Sequence, residues 1–189
     1  MEQSYFKTLS QRLIAALQPS EVLTLFVEAE QSDFIRFNQA KVRQAGTVKQ
    51  GMLLLALSDG QRHAPGRYTL SGDIDEDAAR GLALLDELRQ TLPFLPEDPH
   101  LLYATEVRST ERVGSSDLPD AAVMVDSILD AGAGLDLVGL LASVPVMRGF
   151  ADSSGLFTWL ARRTLTCAWP LSLQSATAVP CASADALRV

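Results

Sequence analysis

Histidine and cysteine are scarce in this sequence of 189 residues, which contains two of each. His63 and His100 have no second histidine three to five residues away, so the closely spaced imidazoles of a zinc peptidase are missing. Cys167 and Cys181 are too few for a disulfide-stapled secreted scaffold, and we expect reduced thiols. A composite site of all four side chains is the alternative, but four distant segments would have to converge. We therefore expect no metal and no cofactor in this chain.

Basic residues are outnumbered by acidic ones, and aromatic residues are few. Lys and Arg number 16 against 23 Asp and Glu, which gives a net charge of -7 and disfavours binding to phosphate backbones or anionic lipid. Aromatics make up 6% of the chain, so the core must rest mainly on Leu, Val and Ala. The longest strongly apolar run, 137–147, is too short to cross a bilayer. The N-terminus does not resemble a signal peptide, and we expect a cytoplasmic protein that contacts neither membrane nor nucleic acid.

The first part of the chain predicts one helix and then several strands. Apolar residues at helical spacing predict a first helix that extends to Leu17 and ends before Pro19: Phe6, Leu9, Leu13 and Leu17. Strands are predicted at 22–28, 34–38 and 42–57, with a polar break at 30–33 and with the second half of the third strand buried on both faces. Extended chain then continues from a turn at 58–60 to about Thr69.

Residues 73–92 form the clearest predicted helix. Asp73 and Glu76 have the spacing of a capping box, in which each side chain bonds to a free backbone amide of the other residue. The first-turn acids also suit the positive end of the helix dipole: Asp73, Asp75, Glu76 and Asp77. These acids resemble the start of a calcium loop, but Ala78 and Leu84 stand where that loop needs glycine and glutamate. Helix capping is therefore the interpretation.

The second part predicts a short edge strand, a helix and a hairpin. The edge strand lies within 104–113, and the helix is opened by Asp117 as N-cap and Pro119 in its first turn. Its buried face is predicted to carry Val125, Ile128 and Leu129. A buried strand at 137–147 and a turn at 152–155 complete the pattern. The predicted fold class is α+β, with a mainly antiparallel sheet and helices packed on one face.

Two stretches of the sequence carry a family resemblance. In residues 32–46, SDFIRFNQAKVRQAG, an Arg-Phe-Asn strand is followed by a Val-Arg-Gln strand. The second stretch runs from LVGLLAS at 137–143 through RGFADSSG at 148–155 to Trp159. In this order they resemble the N-terminal domain of the TldD/PmbA family, which is metallopeptidase-related and of the modulator-of-gyrase type. The resemblance covers most of residues 22–163.

The resemblance implies a domain organisation and a function. Residues 1–165 would be the N-terminal domain, and 166–189 an atypical tail at the start of a truncated second region, which a shifted reading frame would explain. Family members are longer, act in proteolytic processing of peptides, and form homodimers or heterodimers with a paralogue. The TldD-like branch binds zinc through a His-Glu-x-x-x-His helix, which this sequence lacks. We therefore expect a chain that is inactive alone.

The expected role is thus a non-catalytic one. The chain would contribute substrate cavity and dimer contacts for a peptide or unfolded protein substrate, and zinc would be found only in full-length family members. The alternative is a free-standing peptide- or protein-binding scaffold module with no enzymatic role.

Five polar residues are the candidate substrate-binding residues. Arg36, Asn38, Arg43 and Gln44 lie on two neighbouring predicted strands, where they could grip a peptide by strand addition. The alternative is an ordinary solvated sheet face. Arg148 ends a very apolar strand, where a charge needs a partner or a ligand. An ion pair with a nearby acid such as Asp152 is the alternative there.

Overall fold

The computed structural model describes residues 1–115, 117–168 and 171–172. Over these residues the chain forms three α-helices: α1 (Gln3–Ile14), α2 (Ile74–Thr91) and α3 (Ala121–Ala131). A short 3-10 turn, Leu92–Phe94, follows α2. The strands are β1 (Glu21–Asn38), β2 (Lys41–Asp59), β3 (Arg62–Thr69), β4 (Thr110–Val113), β5 (Asp136–Leu137), β6 (Gly139–Asp152), β7 (Phe157–Ala168) and β8 (Leu171–Ser172).

Six of the strands form one sheet in the order β3-β2-β1-β6-β7-β4, and β5 pairs with β8 separately. The sheet is mixed and mostly antiparallel, with a parallel pairing between β4 and β7, so the predicted α+β class is confirmed. The packing of the helices on one face stays a prediction. No helix within the described ranges is both long enough and apolar enough to cross a membrane.

The chain forms two compact units, and the four longest strands supply residues to both. The first unit consists of residues 1–30, 50–113 and 147–161, and the second of 31–49, 114–146 and the described residues from 162 onward. The boundary predicted after residue 165 stays a prediction.

The first unit is built on a core of leucines and aromatics. Phe6, Leu9 and Leu13 of α1 recur at helical spacing, and Leu23, Leu25 and Val27 alternate along β1, so both elements present one apolar face. Strand β2, helix α2 and strand β7 add further large buried side chains to this core: Leu53, Leu55, Leu57, Leu85, Leu88 and Trp159. Aromatic rings meet in this core, where the ring of Phe6 is stacked at 6.2 Å from that of Trp159.

The second unit has a smaller core under α3. Phe37, Leu137 and Leu141 are buried there, and the predicted inner face of α3 packs on them: Val125, Ile128 and Leu129. The predicted N-cap at Asp117 is wrong, because α3 begins at Ala121 with Asp120 at the N-cap position. Asp120 is as acceptable an N-cap residue type as Asp117, and the sequence pattern could not choose between them.

In the first half of the chain, the predicted end of the first helix and the predicted break between two strands differ from the structure. Helix α1 ends at Ile14 and does not reach Leu17. The polar break at 30–33 is wrong because β1 is continuous. Its polar residues are accommodated by polar partners on β2: Gln50 donates to Glu30, and the Thr47 hydroxyl donates to Asp33 at 2.6 Å. Cross-strand polar pairs of this kind let a strand continue through a polar stretch.

The predicted burial of β2 on both faces is also wrong. Leu53, Leu55 and Leu57 are buried, whereas Met52 and Leu54 are 37% and 38% exposed. The strand therefore alternates in the usual way for a sheet with one solvated face.

The predicted helix at 73–92 is present as α2, with Asp73 at its N-cap, but one hydrogen bond of the cap differs from the prediction. The Asp73 carboxylate accepts the amides of Asp75 at 2.9 Å and Glu76 at 3.0 Å. In a full capping box the Glu76 side chain would accept the Asp73 amide. Here the Asp73 amide donates instead to the Ser71 hydroxyl at 3.1 Å. A side chain two residues upstream thus performs the task that the sequence assigned to Glu76.

Candidate functional site

Four of the five predicted site residues lie in the β-hairpin that β1 and β2 form in the second unit. Arg36 and Asn38 alternate with Ile35 and Phe37, so the two pairs point to opposite sides of β1. Ile35 and Phe37 pack into the core under α3, and Arg36 and Asn38 therefore face away from that core. Arg43 and Gln44 follow on β2, and both are exposed, as is Arg36. We call residues 31–49 the basic hairpin.

A stack of three residues orients Arg36 on the basic hairpin. The guanidinium carbon of Arg36 lies 5.9 Å from the centroid of the Phe34 ring, within cation–π range. The ring in turn covers Gly46 on the neighbouring strand, where an added Cβ would come within 2.9 Å of the ring atom Cζ. Sequence reasoning missed Phe34. The available signal was an aromatic two residues before an arginine, with a glycine on the next strand to receive the ring.

The hairpin is basic in an acidic chain. Residues 31–49 contain four cations and one carboxylate, a net charge of +3 against -7 for the whole chain: Arg36, Lys41, Arg43, Lys49 and Asp33. Asp33 accepts a hydrogen bond from the hydroxyl of Thr47. Within the described part of the chain, none of the four cations forms a salt bridge. Their charge is therefore available to a partner.

The tip of the hairpin has left-handed backbone at two residues that are not glycine. Gln39 and Ala40 both have φ of 52°, the conformation of a type I′ two-residue turn, which normally selects Asn and Gly. The Ala40 amide donates to the carbonyl oxygen of Leu137 at 3.2 Å, so the tip is attached to β5 of the same unit.

Replacement of Gln39 by glycine should therefore stabilise the protein by about 0.5–1 kcal/mol, because glycine adopts positive φ without steric cost. The side chain of Gln39 is exposed, so little packing is lost. Urea unfolding of Gln39→Gly can be compared with Ala45→Gly, an exposed position in regular strand β2, which should lose about the same amount. A loss of stability in both variants would show that the tip is not strained.

Arg148 lies in the first unit and has a partner. Its Nε and Nη2 atoms are 3.0 Å and 2.6 Å from Oε1 of Glu28. Asp152 is not that partner. Its carboxylate holds the β6–β7 turn by accepting bonds from the amides of Ser154 at 2.8 Å and Leu156 at 3.1 Å. Both side chains of the Arg148–Glu28 pair are 49% exposed, and such pairs contribute little to stability.

The first unit also contains an open cleft of about 480 Å³. Its walls combine apolar side chains, hydroxyls and two carboxylates: Ile14, Leu17, Val22, Tyr103, Thr24, Thr105, Ser153, Ser154, Glu21 and Asp152. Hydrogen bonds from Arg89 hold the pKa of Glu21 below its usual range, with Nε at 2.7 Å. The Asp152 carboxylate already accepts the amides of the β6–β7 turn. Since both carboxylates are committed, the cleft offers apolar contact and hydroxyl hydrogen bonds, which suits binding.

Asp77 belongs to a buried network that the sequence did not reveal. Its side chain is fully buried and accepts hydrogen bonds from the Tyr5 hydroxyl, the Ser71 amide at 2.9 Å and the Gly72 amide at 3.0 Å. Burial raises the pKa of Asp77, but the bonds from Ser71, Tyr5 and Gly72 outweigh it and the pKa lies below its usual value. Burial, with the bond to Asp77, raises the pKa of Tyr5. The network joins α1 to the start of α2.

The histidines and cysteines do not assemble into a metal site in the part of the chain that can be described. No group of three or more His, Cys, Asp or Glu side chains is placed there to hold a metal ion. His63 and His100 are exposed, and burial raises the pKa of the Cys167 thiol. Cys181 lies outside the described residues. These side chains do not fit the zinc site of the TldD-like branch, and no step is assigned to zinc.

Comparison with solved structures gives consistent matches. A candidate modulator of a DNA gyrase from Thermotoga maritima aligns over 92% of this chain with a TM-score of 0.62 and 10% identity. TldE from Thermococcus kodakarensis aligns over 94% with a TM-score of 0.61 and 9% identity. This chain has their fold. A further candidate modulator of DNA gyrase, from Bacteroides thetaiotaomicron, aligns over 96% with a TM-score of 0.54 and 13% identity.

The shared fold corresponds to the N-terminal part of these longer proteins. The chain spans 41% of the length of the first two and 43% of the third. No protein-family model matches the sequence, and no curated protein does. At these identities the likeness confirms the fold implied by the sequence resemblance.

Proposed function

We propose that this chain is a TldD/PmbA-type N-terminal domain that binds peptide or unfolded protein substrates without cleaving them. The shared fold with TldE over 94% of the chain is the observation that carries the proposal. The two stretches that resemble the family also fall on defined elements. Residues 32–46 lie in the β1–β2 hairpin, and 137–159 in β6, its turn and the start of β7. Both the fold and the local sequence therefore support the same family.

The basic hairpin is the proposed peptide-binding surface. Arg36, Asn38, Arg43 and Gln44 offer hydrogen-bond donors on a surface that the core under α3 does not use. Arg148 forms an ion pair with Glu28 on the surface of the first unit. We therefore do not include it in the proposed peptide-binding surface. The cleft of the first unit supplies the proposed substrate cavity, since its walls combine apolar side chains with hydroxyls.

Peptide hydrolysis would require residues supplied from outside this chain. We propose that the chain acts in the cytoplasm, either as a homodimer that binds substrate for a zinc-motif family protein or as a heterodimer with such a paralogue.

A reconstitution assay tests this proposal. Quenched fluorescent peptides are incubated with the purified chain, with a TldD-type protein carrying the His-Glu-x-x-x-His motif, and with both. We expect no hydrolysis by the chain alone and a rate in the mixture above the sum of the two separate rates. Arg36→Gln with Arg43→Gln should reduce the gain, whereas Lys7→Gln, an exposed cation of the first unit, should preserve it. Additive rates in the mixture contradict the proposal.

The alternative function is a free-standing binding module with no enzymatic role. The observation that favours it is the cleft of the first unit, whose two carboxylates are both engaged by the chain's own donors. Such a module would bind peptides as well, but the TldD-type protein would hydrolyse them at the same rate with or without it. The same assay, combined with a direct binding measurement, therefore separates the two functions.

A further inference from the structure

We infer that the basic hairpin recognises acidic peptide segments, in which Asp or Glu carboxylates meet Arg36 and Arg43. The inference rests on the proposed function, since it names the class of substrate that the proposed peptide-binding surface takes. It goes beyond that function because the family resemblance implies peptides without specifying their charge.

The distribution of charge is the first argument. The hairpin has a net charge of +3 within a chain of -7, so an acidic segment is attracted to this element although the chain as a whole is acidic. Its single carboxylate, Asp33, is engaged by Thr47 and neutralises none of the four cations. Electrostatic complementarity of this kind selects partners by charge and speeds their association.

The orientation of Arg36 is the second argument. A guanidinium offers parallel N–H donors that match the two oxygens of a carboxylate. Arg36 lies over Phe34, and Phe34 lies over Gly46, so the guanidinium is partly oriented before any partner arrives. Because less side-chain freedom is lost on binding, a stacked arginine binds an anion better than a free surface arginine does.

Nucleic acid and a second copy of the chain are the competing anionic partners. A polyphosphate backbone would face the repulsion of the whole chain, which a short acidic peptide partly avoids. The second unit itself contains an acidic stretch, residues 114–146, with five aspartates and no Lys or Arg, so self-association is a measurable alternative.

Fluorescence anisotropy provides the test, with the full 189-residue chain and three labelled peptides of equal length. The acidic peptide alternates Glu with Ser, the neutral one replaces each Glu by Gln, and the basic one replaces it by Lys. We expect the acidic peptide to bind roughly tenfold tighter than the neutral one at low salt, and the basic one not to bind. High salt should remove most of the difference, because the contacts are exposed.

Matched variants locate the site. Arg36→Gln and Arg43→Gln should each weaken binding of the acidic peptide about threefold to fivefold. Phe34→Leu should weaken it without changing the charge, because the guanidinium loses its platform. Lys7→Gln and Arg67→Gln remove exposed cations of the first unit and should have no effect. Unfolding midpoints establish that each variant is folded.

The possible outcomes separate the inference from the function on which it rests. Equal binding of acidic and neutral peptides that still depends on Arg36 overturns the inference and leaves the proposed function standing. Failure of all three peptides to bind overturns both. Tighter binding of a single-stranded oligonucleotide than of the acidic peptide overturns the inference in favour of nucleic acid. A salt-sensitive dimer in sedimentation, abolished by Arg36→Gln and accompanied by no peptide binding, overturns it in favour of self-association.

Discussion

Asp77→Ala is expected to lower the free energy of unfolding by about 3–5 kcal/mol, because hydrogen bonds to a charged group are worth about 1.5–3 kcal/mol each. The substitution removes the acceptor of the Tyr5 hydroxyl and of the Ser71 and Gly72 amides. Urea unfolding followed by circular dichroism measures the loss. The control is Asp75→Ala, because that carboxylate is 83% exposed and only pairs with Arg12 at the surface. It should cost less than about 1 kcal/mol.

The same carboxylate predicts a loss of stability in acid. The folded-state pKa of Asp77 lies below its ordinary value of 3.8, so its contribution is fully present above that value and is lost as the pH falls through the folded-state pKa. Asp77→Asn carries no titrating group there and should show a weaker decline of stability below about pH 4. Parallel acid-unfolding curves for the wild type and Asp77→Asn would contradict this role of the network.

Phe6→Ala is expected to cost about 3–5 kcal/mol, since it removes a fully buried aromatic ring from the core of the first unit. Phe94→Ala is the matched control, because its ring is 87% exposed, and it should change stability by less than about 0.5 kcal/mol. Thermal and urea unfolding of the two variants measure the difference. Similar losses would show that Phe6 is not central to this core.

A substitution at Gly149 of β6 tests the contact between this strand and the Phe6 ring. A Cβ at Gly149 would come 2.6 Å from two carbons of the Phe6 ring, so Gly149→Ala should destabilise by about 1–3 kcal/mol through overpacking. Combined with Phe6→Leu, whose side chain is smaller, the two losses should be less than additive. Strict additivity would mean that the two residues do not share this space.

Periodic patterns in the sequence predicted most of the elements of this fold. The leucine spacing of α2 and the acid at its N-cap are local signals, and local steric and hydrogen-bonding rules are sufficient to interpret them. The continuity of β1 was not predictable in this way. Its polar residues Glu30 and Asp33 look like a break until their partners Gln50 and Thr47 are known, and those partners come from another strand.

The candidate site was predicted only in part, because some of its contacts also come from another strand. Arg36 and Arg43 were recognised as polar residues on neighbouring strands. The stacking of Arg36 on Phe34, and of Phe34 on Gly46, depends on cross-strand register, which the sequence does not state. Asp77 shows the converse error. Its neighbours Asp75 and Glu76 are exposed first-turn acids, and only the positions of Tyr5 and Ser71 reveal that Asp77 is buried.

The most direct test of the central claim, that the chain holds a peptide on the basic hairpin, is a titration followed by NMR. Backbone amide shifts of the isotope-labelled chain are recorded as the unlabelled acidic peptide is added. We expect saturable shift changes concentrated in residues 34–46, and their loss in Arg36→Gln with Arg43→Gln. The absence of saturable shift changes in residues 34–46, at peptide concentrations that saturate the anisotropy signal, would contradict the claim.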